Sequence, residues 1–176
     1  MLKAVLTDAD FGCGEAKLVE DISRYGARGI LLDENNNAAM MLMSANGFYK
    51  LPGGGIELGE RESDAFKREV LEETGCKCEI IAQLGTVEEH NHKRKFCQFS
   101  FAFLARKVGE AGQPHLTEIE KKMGMSINWM TLADASTVMD KAIEMAEERK
   151  TLSILKRDKI IIDYLIDRIK SGEIRI

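Results

Sequence analysis

The sequence predicts an α/β fold, a mixed sheet sandwiched between helices. Strand-like apolar runs stand before and after one central helical segment, and the chain is helical in pattern from residue 132 onward. The clearest strand is 96–108, where Cys97, Phe99, Phe101 and Phe103 alternate with Gln98 and Ser100.

Residues 2–7 read as a short strand. The loop "DADFGCGEA" follows, with Gly12 and Gly14 as breakers. Its D-x-D-x-G fragment lacks the third ligand position and closing glutamate of a calcium loop, so it reads as a turn. Residues 29–33 and 38–43 are nearly continuous apolar runs joined by "ENNN", which predicts a hairpin buried on both faces. "NGFYKLPGGGIELGE" is too glycine-rich to be regular throughout. A helix is expected over 63–74, with Ser63 as N-cap and Gly75 as the stop. Strands at 76–89 and 96–108 are linked by "EEHNHKRK". "GEAGQPH" is a further loop, and 126–130 a last strand carrying Trp129. Beyond it, Leu152, Leu155, Ile162, Ile166 and Ile169 recur at helical spacing. This stripe is expected to cover the sheet rather than to form a dimer contact.

At 176 residues the chain suits one domain with room for a sizeable core. A net charge of −4 argues against broad attraction to polymeric nucleic acid or an anionic membrane. No apolar run is long enough to span a bilayer. "MLKAVLTDAD" lacks the apolar core of a signal peptide, so a cytoplasmic setting is expected. Cys13, Cys76, Cys78 and Cys97 make no C-x-x-C pair and read as buried thiols rather than zinc ligands.

The informative stretch is "REVLEETG". On a helix, Phe66, Val70, Leu71 and Thr74 gather on the sheet side, while Glu69, Glu72 and Glu73 share one flank. Like charges at this spacing each cost about a few tenths of a kcal/mol. They also crowd the helix C-terminus, where the macrodipole disfavours negative charge. The preceding "LPGGGIELGE" lets backbone come close to a ligand. Carboxylates and carbonyls together suit a hard divalent cation such as Mg²⁺, which leaves positions open for water and phosphate.

The pattern G-x5-E-x7-R-E-U-x-E-E-x-G-U, with U apolar, is met by Gly54, Glu60, Arg68, Glu69, Val70, Glu72, Glu73, Gly75 and Cys76. Cys76 stands where an aliphatic residue is usual. In these residues the chain resembles the Nudix (MutT-like) hydrolases. The resemblance extends over about 25–132, which divides the chain into an N-terminal strand and loop (1–24), a Nudix domain (25–132) and a C-terminal helical extension packed on it (133–176).

The resemblance implies a Nudix-type α/β/α sandwich with additional C-terminal helices. It implies hydrolysis of a small-molecule nucleoside diphosphate derivative with Mg²⁺ or Mn²⁺. Glu69, Glu72, Glu73 and the Gly53 carbonyl would be metal ligands. Arg68 would hold the carboxylates, and Glu60 would act on the motif's structure or on a water. A glutamate outside the motif often adds a ligand or general base; Glu118, Glu120 and then Glu89 are the candidates. The alternative for the first two is a capping box, with Thr117 capping and Glu120 completing it. A homodimer is common in the family.

For substrate phosphate, the candidates are Arg28 beside the first core strand, Lys50 beside the glycine turn, and Gly54 and Gly55 within it. Lys93, Arg94 and Lys95 read as a solvated hairpin tip, His90 and His92 as a surface turn, and Phe48 and Tyr49 as core or a base-stacking pair. Signatures of particular substrates are missing: "EHNHKRK" holds no proline or tyrosine, and Gly55 stands where mutator-type enzymes carry lysine. A catalytically silent nucleotide-binding sensor of the same fold is the alternative function. A diphosphate isomerase using Cys97 is a third.

Overall fold

The computed structural model describes residues 1–176. Eight strands form one mixed sheet: β1 (Leu2–Leu6), β2 (Arg24–Leu32), β3 (Ala38–Met43), β4 (Phe48–Lys50), β5 (Gly53–Gly55), β6 (Lys77–Asn91), β7 (Phe96–Val108) and β8 (Met125–Met130). The helices are α1 (Glu62–Thr74), α2 (Glu118–Lys122), α3 (Leu132–Met145) and α4 (Arg149–Lys170). Strand order is β1-β6-β7-β2-β3-β4, with β5 paired to β2 and β8 to β3. The β1–β6 and β2–β7 pairs are parallel and the others antiparallel.

Alternation along the central strands builds two cores. Ala27 and Leu31 of β2 and Phe103 and Ala105 of β7 meet Ala65, Phe66 and Val70 of α1. Phe66 stacks on Phe103 with ring centroids 5.3 Å apart. On the opposite face, Ile30, Leu32, Ala102 and Leu104 meet Ala135 and Met139 of α3 and Leu155, Ile161, Ile162 and Leu165 of α4. The helical stripe of the last segment therefore covers the sheet. The Phe-rich face of β7 is the α1 side, as its alternation predicts.

The predicted hairpin is joined only at its base, Leu32 opposite Ala38. Asp33 closes its turn by accepting from the amides of Asn35 and Asn37, and Asn36 takes φ 63°. Beyond that pair β3 turns to β4 and β8, which opens the space that β5 enters beside β2. Ser63 is not the N-cap: α1 begins at Glu62 after Arg61, whose guanidinium bonds Asp64 instead. Gly75 does end the helix, at φ 70°.

The loop after β7 folds over this end. The Gly112 N–H donates to the Gly75 carbonyl at 2.8 Å, and the His115 N–H to the Glu72 carbonyl at 2.7 Å. Carbonyls that a helix terminus leaves without partners are thereby satisfied. "DADF" is a 3-10 turn closed by Asp10 on the Thr7 hydroxyl and amide, as a turn reading requires.

Candidate active site

The site forms where β5 runs between β2 and α1. Its glycines are dictated by space. Gly53 has φ +136°, and a Cβ there would lie 2.4 Å from the Ala27 carbonyl oxygen. A Cβ on Gly54 would lie 2.4 Å from Glu69 Oε1, so the missing side chain is what lets this carboxylate reach the backbone. Leu51, just upstream, is anchored from the other side: its N–H donates to the fully buried Asp158 of α4 at 2.9 Å.

Arg68 organises the acids. Its Nε and Nη2 hold Glu60 in a two-pronged contact at 2.9 and 3.0 Å. Nη1 donates to Glu69 at 2.9 Å and to Glu72 at 3.2 Å, and Nη2 also reaches the Gly55 carbonyl at 2.9 Å. The hydrogen bond from Arg68, assisted by the Glu57 N–H, holds the Glu60 carboxyl below its usual value. The Glu60 contact in turn raises the Arg68 guanidinium further above neutrality. Glu73 is only 3% exposed; Lys50 Nζ lies 2.6 Å from its Oε1 and the Gly53 N–H 2.9 Å from its Oε2. Burial pushes the Glu73 carboxyl up, and Lys50 and Gly53 pull against that rise.

Gly53, Gly54, Gly55, Lys50, Arg68, Glu69, Glu72, Glu73 and Glu120 all line one cavity of about 760 Å³. Glu60 reaches it only through Arg68. Glu120 is held in a capping box, accepting from the Thr117 amide and hydroxyl at 2.8 and 2.9 Å. Glu118 points away, 80% exposed and paired with Lys121, because the cap on α2 turns it outward. Three groups of carboxylate, His or Cys do not converge on one ion-sized point. The donor chemistry nonetheless fits a hard cation. A positive charge already bridges two of the expected ligands, since Lys50 Nζ also donates to the Gly53 carbonyl at 3.5 Å.

A second cavity of about 910 Å³ adjoins the first, sharing with it Arg24, Lys50, Gly53, Gly54, Lys150 and Ile154. Arg28 lines it, 4% exposed, with its Nε lacking any hydrogen-bond partner. Burial, then repulsion from Arg157, pushes the Arg28 guanidinium down to about 10, with Asp158 and Glu89 opposing. Glu89 is buried here and accepts from Arg157 Nη1 at 3.1 Å, Gln98 Nε2 at 3.2 Å and the Ser153 hydroxyl. It thus ties β6 to α4 instead of facing the carboxylate cluster. Burial works to lower Arg157, but Asp158 and Glu89 outweigh it and raise it.

Sequence reasoning missed this α4 wall of Arg149, Lys150, Ser153 and Arg157. One signal was available: Arg157 and Asp158 interrupt an apolar stripe, and charges in such a place are rarely buried unless paired. The surface reading of His90 also fails. It is 3% exposed, its Nδ1 accepting from the Val19 N–H at 3.1 Å. Phe48 is core and Tyr49 packs against it. Cys97 is buried and its thiol pushed up, first by burial and then by Glu88 and Glu89, which does not suit a nucleophile. The hairpin tip departs from a purely solvated reading in one respect, since Arg94 lines the second cavity.

A family model described as NUDIX domain matches residues 23–152. The chain belongs to the Nudix family. Among curated relatives, Nucleoside diphosphate-linked moiety X motif 6 of Xenopus laevis is 33% identical over 86 residues, 47% of this chain and 40% of that protein. Pre-mRNA cleavage factor Im 25 kDa subunit 2 of Arabidopsis thaliana is 31% identical over 103 residues, 48% of this chain and 52% of that protein. This Nudix chain therefore spans about half or less of the length of these two relatives. A solved NUDIX hydrolase from Nitrosomonas europaea shares the fold, with a TM-score of 0.59 at 15% identity, covering 87% of this chain and 96% of that one. No helix is long and apolar enough to cross a membrane.

Proposed function

We propose that this Nudix chain is a diphosphatase that cleaves the diphosphate linkage of a small nucleoside diphosphate derivative by water attack at phosphorus. The observation that carries this is the gathering of Glu69, Glu72, Glu73 and the Gly53 carbonyl on one cavity wall, oriented by Arg68 and Lys50. Those four groups would hold Mg²⁺ or Mn²⁺, which when bound neutralises charge on the phosphate oxygens.

The chain supplies the rest. Arg68 fixes the directions of Glu69 and Glu72. Glu72 is 45% exposed and meets Arg68 only through Oε2, so Oε1 is available to accept the proton of the attacking water. The new P–O bond forms as the bridging P–O bond breaks, and the leaving phosphate carries away the negative charge. Arg24 and Lys150, on the shared rim of the two cavities, face that charge. The free thiols of all four cysteines support a reducing, cytoplasmic setting. A homodimer is tested by sedimentation.

The test is Mg²⁺- or Mn²⁺-dependent release of phosphate or nucleotide across a panel of nucleoside diphosphate derivatives. Glu72→Gln and Glu73→Gln are each expected to lower turnover about 100-fold or more. Wild-type turnover by Glu73→Gln would refute its role. The Lys50–Glu73 ion pair favours a second reading, a silent nucleotide-binding module whose acidic site is internally neutralised. Tight binding without product under either metal would favour that reading.

A further inference from the structure

We propose that the basic cavity beside the carboxylates binds a second phosphorylated group, so that the substrate is a polyanion carrying phosphate on the moiety remote from the cleaved diphosphate. This rests on reading the carboxylate cavity as the diphosphatase site.

Of the 15 residues lining the basic cavity, only Phe96 and Ile154 are hydrophobic, and Glu89 is the one acid. Three of its cations are committed within the protein: Lys50 to Glu73, Arg149 to Asp8, and Arg157 to Glu89 and Asp158. Four others, Arg24, Arg28, Arg94 and Lys150, make no ion pair. They come from β2, the β6–β7 turn and the start of α4. The chain as a whole has a net charge of −4, so their convergence does not follow from composition.

Arg28 decides the matter. It is only 4% exposed, its Nε has no hydrogen-bond partner, and its guanidinium makes no ion pair; Asp158 and Glu89 offset part of the cost of its burial, but both are directly paired with Arg157. An anionic ligand would supply the direct partner that Arg28 lacks. The placement of Arg149 and Lys150 in the first turn of α4 makes the same point, since the macrodipole there disfavours cations and favours an anion. A neutral sugar would leave these charges unmatched, and a nucleobase would find almost no apolar face. A phosphate monoester or a further phosphate in a chain would satisfy Arg28 by charge-assisted hydrogen bonds, with Lys150 and Arg24 close to the cleaved linkage.

The test is calorimetric titration of the full chain in EDTA with inorganic tripolyphosphate and with ADP-ribose, a diphosphate whose second moiety is uncharged. Tripolyphosphate is expected to bind about tenfold or more tightly than ADP-ribose. Arg28→Gln should abolish that preference and at the same time raise the melting temperature of the ligand-free protein, which a merely structural arginine would not do. Should Arg28→Gln fail to fold, the exposed Lys150→Gln decides, with an expected loss of about fivefold in tripolyphosphate affinity and an unchanged melting temperature. Equal or tighter binding of ADP-ribose overturns the proposal. So does a preference that survives these substitutions, or equal competition by an RNA oligomer without terminal phosphates. Because binding is read without metal, absence of hydrolysis in a separate Mg²⁺ assay would refute the diphosphatase reading and leave this result distinguishable.

Discussion

Lys50 Nζ stands 2.6 Å from Glu73 Oε1, an ion pair whose side chains are 13% and 3% exposed. The pair joins the end of β4 to the last turn of α1 across the glycine strand. An expected metal ligand is thus paired with a cationic side chain of the chain itself.

Lys50→Met should therefore destabilise the metal-free protein, because Glu73 keeps only the Gly53 N–H. The expected loss is about 1–3 kcal/mol, the cost of an under-satisfied buried charged group. Adding Mg²⁺ should restore more stability to this variant than it adds to wild type. Denaturant melts with Mg²⁺ and with EDTA measure both quantities.

Arg68→Lys should lower kcat about 100-fold while leaving KM for the diphosphate nearly unchanged. A lysine ammonium cannot make the fork that holds Glu60 while also reaching Glu69, Glu72 and the Gly55 carbonyl. Small misplacements of reacting groups carry losses of about that size. Steady-state kinetics on whichever substrate the panel identifies is the measurement.

Gly54→Ala should be at least as damaging to turnover, about 100-fold, since its methyl would occupy the place of the Glu69 carboxylate, 2.4 Å from Oε1. The fold should survive, because the obstacle is the end of a side chain that can rotate away. Circular dichroism alongside turnover separates the two effects.

The Glu60–Arg68 contact predicts a specific acid limb. Glu60 titrates below its ordinary 4.5 in the folded chain. Its contribution is therefore fully present above that value and is lost as pH falls through the depressed one. Glu60→Gln should flatten the fall in stability below pH 4.5 relative to wild type, as read by urea midpoints across the acid range.

What was legible in the sequence was local. The flank of Glu69, Glu72 and Glu73, the Gly75 stop and the alternation of β7 follow from spacings within one element, and spacing is what a sequence displays. Ser63 is a good capping residue by type, yet Arg61 and Asp64 pair across the helix start and the helix begins one residue earlier than its sequence suggests. The basic cavity was hidden for a different reason. Glu89 meets Arg157 across 68 residues, and Asp158 holds Leu51 across 107. No periodicity joins such partners; only the docking of α4 on the sheet brings them together. The place of Arg28 beside a core strand marks it as a phosphate candidate, but its burial with an unpartnered Nε belongs to the tertiary structure.

The amides of Gly112 and His115, tied to the Gly75 and Glu72 carbonyls at the end of α1, bear on how firmly the acidic helix is held. That strap fastens the loop after β7 to the end of the acidic helix. Amide exchange at those two positions would then keep pace with fraying of α1 itself, making them remote gauges of the carboxylate cluster's rigidity.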